Sequence, residues 1–462
     1  MRAMTTLVVL LGSASLVSLA SDALAQQAPR AFTIEQAVAD ALANHPRIAS
    51  SRAEENAAAA RVDEARTGNL PDVGVSAQIN RSTGNTVPGA FFSAPGFVPV
   101  AGAPRGRTFD EGAWQSGVSV WATWDVLSLT RQAAAIDVSL AGRSEAMAAT
   151  NARRLDIAYR TADAFIALCE AQETVRAAKA SVDRADVLVT ITKPLVDTSL
   201  RPGADLARAD AELASARTLF ARAEQTRDVR RAQLAESLGN ASLVIDAIPG
   251  ALAAPVDGVA MPPAAPSPSH PEIAVSNAAV ARAGEAQKLV DVEYLPRLDI
   301  VAAMWMRGSG LYQSPAAGLA PDVPNWAAGA VVTWSFLDIP AIRARARVAS
   351  ATRDAAVARR DETYLAIAGQ LSTATAVVQG ALRVARQTPA ALSAARTAEQ
   401  QAVARYKSGL SNVVEVADTD RLLAQAELDD AVARLEVRRA LLLLARASGD
   451  LGPFFAKTRG GP

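Results

Sequence analysis

Along this chain the spacing of apolar positions changes period, and each change marks an element. A helical pattern runs from about Thr33 to Thr67. His45-Pro46 interrupts it, and Pro46 suits the first position of a restarted helix. Asn69, Leu70 and Pro71 stop it. The period then falls to two. Val73, Val75, Ala77 and Ile79 alternate with Gly74, Ser76, Gln78 and Asn80, which predicts a strand with one apolar and one polar face. A loop rich in Gly, Pro, Phe and Ala is expected over 82–112. Alternation returns with Val118, Val120, Ala122 and Trp124. From about Leu129 to Lys193 the helical period continues with hardly a breaker, a rod on the order of 100 Å. A turn at Val196 to Asp205 leads into a return helix that Gly239 ends.

The same order then recurs. His45-Pro46 returns as His270-Pro271, and N-L-P-D-V-G-V returns as Y-L-P-R-L-D-I. Strands are expected over Leu298 to Met306 and at Ala330, Val332, Trp334 and Phe336, with a Gly/Pro-rich loop between. A second very long helix runs from Pro340 to about Lys407, and a last one ends near Ala447. The turn V-D-T-S-L-R-P-G-A-D aligns without gaps on Y-K-S-G-L-S-N-V-V-E, so that Asp205 matches Glu415 and Arg208 matches Asp418. Self-similarity of this kind decides the organisation. The first repeat is expected over 26–239, a Pro-rich linker over 240–270, the second repeat over 271–449 and a short tail over 450–462.

Composition narrows the setting. Residues 1–25 read as a secretory signal peptide: Arg2, an apolar run from Leu7 to Ala20, and the cleavage pattern Ala23-Leu24-Ala25. The one cysteine, Cys169, cannot form an internal disulfide and lies far from the cleavage site, so no lipid anchor and a buried inert thiol are expected. Formal charge is zero, which gives no electrostatic footprint for nucleic acid. No later run of about 18 unbroken apolar residues predicts a transmembrane helix, so a membrane span would have to be a β-barrel. All six tryptophans, Trp114, Trp121, Trp124, Trp305, Trp326 and Trp334, lie in or beside the four strands. Tryptophan concentrates at the interfaces of membrane barrels, whereas in a soluble sheet it would pack a core. Four strands cannot close a barrel, and twelve from three chains could.

The stretch Arg405 to Leu428 carries the densest signals. Gly409 suits a helix C-terminus, Asn412 suits the next N-cap, and Glu415 would complete a capping box. Glu415 and Asp418 share a helix face. Capping and the helix dipole would favour two acids there in any protein. His45 and His270, the only histidines, each precede a proline at a helix start and read as caps. No nucleophile–base set, phosphate loop or metal-ligand cluster is apparent, so neither an enzyme nor a cofactor is expected.

Taken together, the ordered set resembles the TolC-like outer membrane efflux proteins over nearly the whole chain. The resemblance rests on the two-fold repeat, the N-H-P opening, the order of hairpin and long helix, and above all Y-K-S-G-L-S-N-V-V-E-V-A-D. It implies a mainly α fold with a long helical coiled-coil barrel and a 12-stranded membrane β-barrel. It also implies a homotrimer in the outer membrane, a periplasmic adaptor protein and an inner-membrane transporter. Small-molecule export is the expected function; protein secretion and a non-transporting scaffold are the alternatives. By position, Glu415 and Asp418 match a pore constriction, and Tyr406 and Asp205 match residues that link neighbouring helix pairs. Ser199, Leu200, Arg201 and Gly409, Leu410, Ser411 match adaptor-docking tips. Ser411 stands where the family carries a basic link residue, so that salt bridge is expected to be absent.

Overall fold

The computed structural model describes residues 30–83, 112–254, 265–310 and 314–458. The signal-peptide reading and most of the first long loop lie outside the described residues. In order, the chain forms β1 (Arg30–Phe32), α1 (Ile34–Asn44), α2 (Pro46–Thr67), β2 (Asp72–Thr83), β3 (Gly112–Asp125), α3 (Leu129–Asp197) and α4 (Gly203–Ser237). There follow β4 (Ile245–Ala247), α5 (Pro271–Asp291), β5 (Arg297–Ser309), β6 (Val323–Thr333), α6 (Ile339–Lys407), α7 (Val413–Ser448) and α8 (Gly452–Thr458). The element order within each half is the repeat read from sequence. Its two long helices both hold 69 residues, and the return helices hold 35 and 36.

Each long helix is flanked by two short ones stacked end to end. α3 packs on α2 and α4, and α6 packs on α5 and α7, while α3 also touches α5 and α7 and so joins the halves. The two His-Pro pairs are the joints of these stacks. His45 caps α2, its Nδ1 accepting from the Arg47 amide at 3.0 Å, and His270 caps α5 likewise from Glu272 at 3.2 Å. Against each joint sits a left-handed glycine that ends the preceding helix: Gly239 with φ +79° and Gly449 with φ +85°. A Cβ on Gly239 would lie 2.8 Å from Pro46, and one on Gly449 2.6 Å from the His270 ring. Only glycine meets both the dihedral and the space.

The four long strands form one antiparallel sheet in the order β2-β3-β5-β6. The main core lies at the level of the joints, where Phe165, Ile166, Leu168 and Leu442 are fully buried. Cys169 belongs to it, and burial with Glu173 and Glu170 nearby pushes its thiol up to about 12, far from reactivity.

Several local expectations are corrected. The 240–270 segment is not simply a linker. Its β4 pairs in parallel with β1, and Ile245 and Leu252 enter the core. The guanidinium of Arg438 holds this segment by donating to the carbonyls of Ala251 at 2.9 Å and Ala254 at 3.2 Å. The tail forms α8 and buries Phe454. β6 starts earlier than the alternation suggested and ends at Thr333, leaving Trp334 and Phe336 just beyond it. One described stretch, Phe336–Lys407, does hold an 18-residue window apolar enough by length and composition to cross a membrane, although it contains no unbroken apolar run. Only 22% of that window is buried within the chain.

Candidate functional site

Two surfaces at opposite ends of the molecule carry the candidate chemistry. The first is the sheet. Its register aligns Val75, Val120, Met304 and Trp326 in one row across all four strands. The row is apolar yet open: Val75 is 73% exposed, Met304 70% and Trp326 77%. The opposite face holds the row Ser76, Ser119, Trp305 and Asn325, in which the Ser76 and Ser119 hydroxyls lie 2.7 Å apart. An antiparallel sheet in a soluble protein turns its apolar face to a core; here that face has none.

The tryptophans divide between these faces. Trp114, Trp124 and Trp326 share the parity of the exposed apolar face, and Trp334, just past β6, is exposed as well. Trp114 and Trp326 stand in the half remote from the helices. Trp124 and Trp334 stand at the helix end, and the Trp124 Nε1 donates to the Asn69 carbonyl at 3.1 Å. Trp121 and Trp305 fall on the polar face, which corrects the reading of all six as one interfacial set. Trp121 lies over Gly74, where a Cβ would meet its ring at 2.4 Å. That glycine leaves room for the ring.

The second surface is the pair of turns at the other end of the long helices. Both are Schellman caps. After α6, the Leu410 amide donates to the Arg405 carbonyl and the Gly409 amide to Tyr406, with Gly409 at φ +76°. After α3, Leu200 donates to Leu195 and Ser199 to Val196, but the left-handed position is held by Ser199 at φ +61°. Each cap pushes its next leucine outward: Leu200 and Leu410 are both 72% exposed.

Between the turns, Tyr406 is 2% exposed and its hydroxyl lies 3.1 Å from Thr192 Oγ1. It therefore links α6 to α3, the two helix pairs, through Thr192 and not through Asp205, whose carboxylate makes no ion pair among the described residues. Arg201 lies over the Tyr406 ring at 4.9 Å and donates to the carbonyls of Tyr406 at 3.4 Å and Ser411 at 3.1 Å. Asn412 caps α7 by accepting from the Glu415 amide at 3.0 Å. The reciprocal half of the capping box does not form, because the Glu415 carboxylate turns to Arg405 at 3.7 Å. Asp418 faces Arg421 at 3.8 Å. Both pairs are open to solvent, where such contacts contribute about 0–1 kcal/mol.

The sequence profile of the outer membrane efflux protein family matches residues 37–240 and 268–450, both repeats together. The chain belongs to the outer membrane efflux protein family.

Among solved structures, the outer membrane protein VceC from Vibrio cholerae matches with a TM-score of 0.72 at 16% identity, over 90% of this chain and 96% of that one. The CmeC outer membrane channel of Campylobacter jejuni matches at 0.71 and 15%, covering 90% and 85%. The open state of the MtrE outer membrane channel of Neisseria gonorrhoeae matches at 0.69 and 18%, covering 90% and 89%. No curated protein sequence matches the chain. The fold is that of the TolC-like outer membrane channels, as the repeat and the turn motif implied.

One feature of this family member escaped sequence reasoning: a ladder of arginine contacts between the helix pairs. Arg184 on α3 donates to Asp420 and, at 3.2 Å, to Glu427 on α7. Arg421 on α7 binds Glu212 on α4. Arg439 on α7 binds Asp163 at 2.7 Å and approaches Glu170 at 3.6 Å, and Arg446 approaches Asp156 at 3.5 Å. Burial, opposed by Arg184, raises the Asp420 carboxyl above its usual range. Burial and Glu436, opposed by Arg439, push Glu170 up to about 7. Glu427, Asp430 and Arg434 look on sequence like solvated pairing along one helix; Arg434 does bind Asp430 one turn back, but Asp430 is buried and also faces Thr388 at 3.0 Å, and Glu427 bridges to α3. These partners stand more than 200 residues apart in most rungs, so no local spacing signals them.

Proposed function

We propose that three copies of this chain assemble an outer membrane channel that conducts small molecules out of the cell. A periplasmic adaptor and an inner-membrane transporter would supply them. The observation that carries the reading is the four-stranded sheet, apolar on its exposed face and, among the described residues, unpaired at its β2 and β6 edges. Three such sheets joined edge to edge make a 12-stranded closed barrel, which leaves no edge and turns the apolar face to lipid. Trp114 and Trp124 are ten positions apart, about 34 Å along a strand. At a tilt of about 40° they stand about 26 Å apart across the membrane, close to the height of a barrel's apolar band. The little-buried apolar window of α6 then packs against a second copy and not against lipid.

The helices continue the barrel as a tunnel that closes at the turns. Glu415 and Asp418 from three chains form its constriction, and the exposed tips around Leu200 and Leu410 meet the adaptor. Six carboxylates at close range repel one another and attract cations, although Arg405 and Arg421 offset part of the charge. Purified protein in planar bilayers tests the reading. Replacing Glu415→Ala together with Asp418→Ala should raise conductance and weaken block by multivalent cations. Unchanged block would remove the constriction from these residues, and absence of any conductance would remove the channel reading itself.

A further inference from the structure

Two tryptophans, Trp121 on β3 and Trp305 on β5, stand on the polar face of the sheet, the face that the channel reading turns inward. On the outer face an indole gains from the membrane interface; on a water-filled wall it gains nothing from lipid. The same face around the pair is small or polar, with Ser76, Ser119, Asn325 and Ala327. Trp121 is directly opposite Ala303, and Trp305 is two positions further along β5. The two therefore hold diagonal positions about 7–8 Å apart, within reach of one extended ligand. Ala303 between them is buried, whereas both tryptophans stay half-buried. The Trp121 indole lies across the neighbouring strand β2. A Cβ on Gly74 would stand 2.4 Å from its Cε2 and Cζ2 and 2.8 Å from its Nε1. The ring thus lies along the wall, one face on β2 and the other toward the lumen.

An indole face is a broad plane of negative potential, on which flat and electron-poor rings stack. We propose that Trp121 and Trp305 form a stacking platform on the pore wall, a subsite for planar aromatic solutes in transit. Glycine at position 74 lets the Trp121 ring lie along the wall, so the platform offers a surface without narrowing the passage. Three chains place six such rings around the lumen. Trp121 also covers Gly74, and that cover supports the strand pairing whether or not a solute binds. The test must therefore separate stacking from support. Placement of the platform in a pore rests on the channel reading; the stacking itself does not.

Two probes of equal charge and similar size isolate the stacking. N-methylquinolinium is a flat aromatic cation, and N-methylquinuclidinium is its saturated, globular counterpart. Both are titrated by ligand-observed NMR into the full-length protein in nanodiscs, with empty nanodiscs as the blank. The quinolinium should bind saturably and more tightly than the quinuclidinium. Trp121→Leu and Trp305→Leu should each weaken it about fivefold, the contribution of one aromatic contact, and the double variant should bind the two probes alike. Trp121→Phe, which keeps a ring at that position, should retain most of the preference. Equal binding of both probes by the wild type, or a preference that survives in the double variant, overturns the platform. So does a loss in Trp121→Phe as large as in Trp121→Leu, which is the outcome if the indole serves only to support β2. In planar bilayers the quinolinium should reduce the single-channel current of the wild type more than the quinuclidinium does, and the double variant should not distinguish them. Preferential binding that leaves the current untouched overturns the placement in the pore. Preferential binding by a protein that never conducts upholds the platform and counts against the channel.

Discussion

Tyr406→Phe isolates the link between the helix pairs. The phenylalanine ring keeps the burial of residue 406 and the face over which Arg201 lies, and removes only the hydroxyl 3.1 Å from Thr192 Oγ1. Both residues are nearly inaccessible, so water cannot replace the lost partner. A neutral hydrogen bond of this kind contributes about 1 kcal/mol net. One chain should therefore lose about 1 kcal/mol of stability in denaturant unfolding. If three chains release their links together, the closed arrangement of the channel loses about 3 kcal/mol, roughly a hundredfold in the closed-to-open ratio. The assay is the open fraction of single channels in planar bilayers. Thr192→Val removes the same bond from the other side. Because both substitutions delete one interaction, the double variant should cost clearly less than the two single costs added together. An unchanged open fraction in Tyr406→Phe, with strictly additive stabilities, would refute the assignment of this bond as the link.

Three further outcomes follow from the geometry. Ser199→Gly should stabilise the chain by about 1 kcal/mol, since Ser199 holds the left-handed cap position that costs a side chain roughly that much, and Gly409→Ala should destabilise it similarly; denaturant unfolding reads both. Glu170 has a folded-state pKa of about 7, above the unfolded value of about 4.3, so the stability it contributes is complete below about pH 4 and lost as pH rises through 7. Glu170→Gln should flatten the stability profile between about pH 4 and 7, and a profile that keeps its slope would place the titration elsewhere. Leu200→Asp and Leu410→Asp, at fully projecting positions, should leave unfolding within about 0.5 kcal/mol and single-channel conductance unchanged while abolishing efflux in cells; retained efflux would exclude the tips as the adaptor surface.

What the sequence made legible has a local cause. Alternation at Val73 to Ile79 and Val118 to Trp124 placed two strands, because a sheet with one apolar face must repeat every two residues. Gly409 and Asn412 announced the second turn, because a left-handed cap and an Asx N-cap are chemistry of single residues. What stayed hidden is either too short or too distant. β1 and β4 hold three residues each, below any periodic signal. Partners such as Thr192 for Tyr406 and Glu212 for Arg421 come from the other half of the chain.

The repeat does contain one of these distant contacts in disguise. In its register Arg201 and Ser411 are equivalent positions, and Ser411 stands where the family pattern carries a basic link residue, so that no salt bridge is expected from it. The structure places the basic residue at the equivalent position of the other half, and its guanidinium reaches the Ser411 carbonyl itself at 3.1 Å. Two equivalent turns packed side by side bring equivalent positions close together, so a cation at either one can reach both turns. Two identical long side chains would crowd and repel there, whereas one arginine facing one serine fits. The departure from two-fold symmetry at this position is thus what allows the turns to be joined, by a contact to backbone carbonyls that needs no acidic partner.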